Sequence, residues 1–106
     1  NESKRGPVQV GKLQIDLAQR RAHYDGKQIP LTGTELSLLE MLARSAGQPV
    51  PKTEIYPRIL GRPMGRYDRA IDVHISAIRH KLAQEGVEGI AIESVRGVGY
   101  QLVRLD

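Results

Sequence analysis

Between Asp68 and Glu85 the large apolar residues recur at intervals of four, three and four positions: Ile71, Ile75, Ile78 and Leu82. At about 100° per residue these four fall within one narrow arc, so the segment reads as a helix with a single buried stripe. Asp68 is placed to cap its start and Gly86 to stop it. A helix of this kind cannot bury its stripe alone, and the rest of the chain must cover it. The opposite arc carries Arg69, Val73, Ser76, Ala77 and His80. That outer face is small and positive, has no acidic residue near its centre, and displays a valine that a purely solvated face does not need. Asp72 lies toward one edge, and His74 and Lys81 share one flank.

The covering elements are legible on both sides. Leu13, Ile15 and Leu17 alternate with polar neighbours, Arg21-Ala22-His23-Tyr24 follows, and Asp25-Gly26 leads into Lys27–Leu31. Asp-Gly between such runs signals a hairpin, and about three antiparallel strands are expected. Thr32-Gly33-Thr34-Glu35 is a capping box. It opens a helix whose stripe is Leu36, Leu39, Met41, Leu42 and Ala43 and whose stop is Gly47. Lys52–Leu60 reads as a second helix, kinked or very short, because Pro57 removes an internal hydrogen bond. Gly61–Tyr67, with two Gly and one Pro, is a basic loop. Ile90–Val95 and Tyr100–Arg104 form a closing hairpin whose turn, Arg96-Gly97-Val98-Gly99, carries an arginine. The whole is one domain over residues 8–106, preceded by a linker stub, residues 1–7.

Charge narrows the partners. The net charge is +4, and residues 61–81 hold five basic side chains against two acidic ones. A basic domain of this size favours a polyanion. Four Tyr with no Phe or Trp make a poor stacking platform for single strands, so double-stranded DNA is the better candidate. With no Cys there is no disulfide, thiolate metal site or Cys nucleophile. No apolar run approaches the roughly 20 residues of a membrane span. A soluble, cytoplasmic protein without membrane contact is expected.

A helix, a loop, a second helix and an Arg-tipped hairpin follow the order of a winged helix, in which one helix fits the major groove and the wing reaches the neighbouring backbone. The small Ser76 and Ala77 permit close approach, Arg69 can reach a phosphate or guanine edge, and Val73 can meet a thymine methyl. Leu31-Thr32 with Glu35, Asp68–Ile75, Ile78-Arg79 with Lys81-Leu82, and Val95-Arg96-Gly97-Val98-Gly99-Tyr100 together resemble the C-terminal output domain of OmpR/PhoB-type response regulators. Gly61 with Asp68-Arg69-Ala70-Ile71-Asp72 resembles the CpxR branch of that family.

The resemblance implies an α+β winged helix-turn-helix. Its parts are an N-terminal four-stranded antiparallel sheet, the fourth strand near Val8, three helices, and a wing pairing with a short strand near Pro49-Val50-Pro51. It implies sequence-specific binding to direct-repeat promoter sites as a head-to-tail pair, downstream of a receiver domain acted on by a sensor histidine kinase. By position it places Arg69, Val73, His74, Ser76, Ala77 and Arg79 at the DNA, with His80 and Lys81 along the same helix and Arg96 at the minor groove. Arg79 lies near the edge of the buried arc and is suited to clamp a phosphate from the side. Arg62, Met64 and Arg66 fall in the loop through which some members touch RNA polymerase.

Other readings are weaker. The rival from another class is a winged-helix module that docks a protein, with charge only steering encounter. His74 and His80 point roughly 240° apart on the helix, so they cannot share a metal. Gly97-Val98-Gly99 lacks the third glycine of a dinucleotide fingerprint, and there is no nucleophile elbow. No enzyme activity, cofactor or metal is expected.

Overall fold

The computed structural model describes residues 6–105; of the expected linker stub, only Gly6 and Pro7 fall within them. Four strands come first: β1 (Val8–Val10), β2 (Leu13–Asp16), β3 (Arg21–Tyr24) and β4 (Lys27–Gln28). They form an antiparallel sheet in that order. Pairing of Ile15 with Ala22 puts these two and Leu13 on the buried face, and Gln14 opposite His23 on the other. Asp25 and Gly26, both at positive φ, make the tight turn between Tyr24 and Lys27 that matches strand twist. Ile29 N–H still donates to Ala22 O, but Pro30 has no N–H and β4 goes no further.

Helix α1 (Gly33–Arg44) starts at the expected capping box. Glu35 N donates to Thr32 Oγ1 at 3.2 Å, and Thr32 N donates to Glu35 Oε1 at 3.0 Å. Glu35 is nonetheless only 5% exposed, and Lys81 Nζ stands 2.6 Å from the same oxygen. Burial opposes its ionisation, but the Lys81 ammonium and the Thr32 amide outweigh it, and the pKa is lowered. Leu38, outside the expected stripe, is fully buried beside Leu39 and Leu42, because α1 packs against both the first sheet and the last long helix.

Strand β5 (Val50–Pro51) runs into α2 (Lys52–Ile55), which widens into a π-type turn over Tyr56–Leu60 and ends at Gly61. Pro57 supplies no N–H and crowds the preceding turn, so the helix is as short as its sequence predicts. Helix α3 (Ala70–Gln84) buries Ile71, Ile75, Ile78 and Leu82 as expected. Its cap differs: Arg69 occupies the N-cap position, and Asp68 sits one residue further out. From there the Asp68 carboxylate accepts from Ala70 N and Gly65 N, each at 3.1 Å, and so serves the helix start and the loop together.

The chain closes with β6 (Ile90–Val95) and β7 (Gly99–Arg104), and β5 pairs on the far side of β7. That approach is why residue 99 is glycine, since a Cβ there would lie 2.1 Å from Val50 O. Gly47 N donates to Leu102 O at 2.8 Å, fastening the end of α1 to the hairpin. A four-stranded sheet, three helices and a C-terminal hairpin make this a winged helix.

The capping box yields a stability prediction. Thr32→Ala is expected to lower unfolding free energy by about 1 kcal/mol in urea titrations. Glu35→Gln keeps the acceptor but removes the charge. Because the folded-state pKa of Glu35 is lowered, its extra stability over Glu35→Gln is fully present above pH 4.5, the ordinary value. It is lost as the pH falls through the lower folded value. Parallel pH profiles for the two proteins would contradict this.

Candidate nucleic-acid interface

Between the first half of α3 and the wing lies an open cleft of about 740 Å³. Arg69 and Ser76 line one wall, Arg96 to Val98 the other, and Lys52 and Thr53 close one end from α2. Local chemistry places each group. Gly97 adopts φ +77°, and Val98 N donates to Val95 O, so the reversal is tight and the Arg96 side chain stands exposed at its tip. The β5–β7 pairing brings Lys52 to the wing, and Lys52 N donates to Val98 O at 3.0 Å.

The floor of the cleft is built around Asp72. Its carboxylate accepts a hydrogen bond from Tyr100 Oη, and Lys52 Nζ lies 3.0 Å from Oδ1. Burial disfavours the charged carboxylate, yet the Tyr100 hydroxyl and the Lys52 ammonium prevail and lower its pKa, with Arg69 adding a smaller pull. Tyr100 responds in the opposite sense: burial, then the neighbouring Asp72 charge, push its phenol up to about 12. Lys52 and Arg79 stand over the Tyr100 ring at 5.5 and 5.7 Å. Helix, wing and α2 are thus joined at one polar centre.

The residues singled out in the sequence separate into two groups. Arg69 and Ser76 from α3 and Arg96 from the wing face the cleft together. Val73 is 64% exposed on the outer face, and His80 is exposed further along. His74 and Ala77 are half-buried. Arg79 also borders the cleft, but its guanidinium is engaged: Nε and Nη2 donate to Ile92 O at 3.0 and 2.7 Å, and Nη2 reaches Ser94 Oγ. Lys81 points to α1 and Glu35. Arg62 donates to both Asp68 oxygens and stacks over the Tyr56 ring, so it braces the loop. This pairing, together with the Ala70 and Gly65 amides, holds the Asp68 carboxyl well below the usual range. Met64 lines the cleft, whereas Arg66 lies over the exposed Tyr67 ring.

In the sequence Lys52 and Thr53 carry no mark beyond the start of a short helix, and Asp72 none beyond its place at the edge of the outer face. The signal that assigns them is the non-local β5–β7 pairing, which no local pattern announces.

The fold and this cleft define a winged-helix domain. Comparison with known proteins carries that further: residues 26–102 match the family described as "Transcriptional regulatory protein, C terminal". The chain belongs to this family, the OmpR/PhoB-type output domains. It is 35% identical over 103 residues to the transcriptional regulatory protein CpxR of Escherichia coli K12, covering 97% of this chain and 44% of that protein. For CpxR of Klebsiella pneumoniae the figures are 36% over 96 residues, 91% and 41%. The chain therefore spans less than half the length of these curated relatives. The solved DNA-binding domain of E. coli CpxR superposes with a TM-score of 0.84 at 34% identity, covering 96% of this chain and all of that one. The Klebsiella pneumoniae RstA DNA-binding domain in complex with RstA box gives 0.81 at 29%, covering 93% and 98%.

As a brace between α3 and β6, Arg79 is expected to contribute measurably, so Arg79→Met should lower stability by about 1.5–3 kcal/mol, the range for hydrogen bonds to charged groups. Thermal denaturation without any nucleic acid reads this directly, and an unchanged Tm would return Arg79 to the pool of free contacts.

Proposed function

We propose that this chain is the output domain of a two-component response regulator that binds double-stranded DNA sequence-specifically and controls transcription. The observation that carries the reading is the pairing of an exposed, nearly acid-free α3 face with a wing whose Arg96 faces the same cleft. The major groove, about 12 Å wide, admits one helix. In this reading α3 enters that groove, Val73 and Ser76 approach base edges, and Arg69 meets a phosphate or guanine at the helix start. Arg96 reaches the minor groove beside it. His74, Ala77 and His80 flank the contact, while Arg79 and Lys81 act through the fold. The Asp72 centre sets the separation of helix and wing.

The solved complex of the RstA domain with RstA box supports this reading by likeness of fold and sequence. The domain over residues 8–106 pairs head to tail on direct repeats in the cytoplasm, joined in the full protein to a receiver domain phosphorylated under a sensor histidine kinase. In this reading the loop carrying Arg62, Met64 and Arg66 meets RNA polymerase, with Arg62 bracing it against Asp68. It is a regulator, not an enzyme. No described helix is long and apolar enough to cross a membrane.

Selection of duplexes from a randomised library at two salt concentrations tests the reading. Enrichment of a direct repeat with half-sites about one helical turn apart and a steep loss of affinity with salt is expected. Binding without enrichment would assign the specificity to the receiver or a second protein, and no duplex binding even at low salt would favour a protein-docking module. Arg96→Ala should flatten the log–log salt slope by about one unit. Val73→Ala should reduce discrimination at one thymine more than affinity for random duplex; equal loss on all sequences refutes Val73 as a base reader.

A further inference from the structure

Met64 stands apart from the other loop residues. Arg62 turns inward to Asp68, and Arg66 accompanies Tyr67, but Met64 lines the same cleft as Arg69, Ser76 and Arg96 and remains 38% exposed. A large, exposed apolar side chain beside three arginines is out of place unless its partner has both charge and an apolar feature.

The loop is also held in register with α3. The Asp68 carboxylate accepts from Arg62 Nη1 at 2.5 Å, from Gly65 N at 3.1 Å and from Ala70 N at 3.1 Å. Asp68 N donates back to Gly65 O at 3.3 Å, closing the turn that follows Met64 directly. Asp68 O in turn accepts from the buried Tyr56 hydroxyl, which also accepts from Ile71 N. The position of Met64 is therefore tied to the first turn of α3 through Asp68, whose carboxylate bonds both the loop and Ala70 N.

We propose that Met64 is a specificity-determining DNA contact, its side chain packing on the 5-methyl group of a thymine in the major groove beside the start of α3. The occupant follows from charge: Lys52, Arg69, Arg79 and Arg96 border the cleft against the single carboxylate of Asp72. The thymine methyl is the apolar feature that a base pair presents in the major groove. An unbranched thioether adapts to it without demanding a shape of its own. This contact rests on the reading of the domain as a duplex binder, and it moves Met64 from the polymerase-facing side of the loop to the DNA-facing side.

The test uses the duplex enriched from a randomised library by the wild-type domain, with each thymine replaced singly by deoxyuridine to delete its methyl. Wild type should lose affinity about fourfold at a thymine near the α3 start, as expected for one buried methyl. Met64→Ala should lose about the same factor on the unmodified duplex and be insensitive to deoxyuridine there, whereas Met64→Leu should retain the sensitivity. Because an apolar contact releases no counterions, the salt slope of Met64→Ala should match wild type, unlike that of Arg96→Ala. Val73→Ala should silence a different thymine. Unchanged Tm confirms that Met64→Ala folds. Salt-sensitive, Arg96-dependent binding with no methyl position silenced by Met64→Ala overturns this contact alone. Failure of wild type to bind any duplex overturns the functional reading and the contact with it.

Discussion

The carboxylate of Asp72 is where three parts of the molecule meet. It projects from α3, accepts from Tyr100 on the wing and pairs with Lys52 at the start of α2. Partial burial makes an unpaired charge there costly, so each partner stabilises the others by its presence. The hairpin alone has no reason to stand at a particular distance from α3. The Asp72 centre on one side of the cleft, and the Arg79 bonds to Ile92 and Ser94 along the neighbouring strand, supply that distance. A cleft with two independent walls would have to be ordered on binding, whereas this one is ordered before a ligand arrives.

Local signals in the sequence disclosed local structure well. The stripe Ile71, Ile75, Ile78 and Leu82, the Thr32–Glu35 box and the Asp25-Gly26 turn all act within a few residues, and all appear as expected. The Asp25-Gly26 turn announces the strand that follows it, although β4 covers only Lys27–Gln28 of the expected Lys27–Leu31, whereas β1 (Val8–Val10) is too short to display an alternation and was legible only through family resemblance. The α3 cap shifted by one residue because Asp68 bonds Ala70 N from outside the cap position while also holding Gly65 and Arg62.

The candidate site was less legible, for one physical reason: a charged side chain on a helical projection has a direction but no partner. Arg79 and Lys81 look alike in sequence as basic residues of one helix, yet one braces β6 and the other α1. Lys52 lies 20 residues from Asp72, and only the β5–β7 register brings the two together. Resemblance to a family singles out α3 as a candidate, but it does not separate the cations that hold the fold from those that face outward.

That separation alters what the net charge of +4 means for recognition. Of the five basic side chains in residues 61–81, Arg62, Arg79 and Lys81 already bond within the domain, leaving Arg66 and Arg69. Lys52 is shared with Asp72, so Arg69 and Arg96 carry most of the uncommitted charge toward the cleft. If the domain binds duplex as proposed, few phosphates are neutralised per domain, and a steep salt slope is the sum of the contacts made by both copies on a direct repeat. On the proposed function, discrimination then falls on close apolar and shape contacts by Val73, Ser76 and Met64, each able to separate sequences without raising non-specific binding. A single domain that read DNA in this way would be selective but weak, and two copies on the proposed direct repeat would recover affinity through effective concentration rather than through added charge.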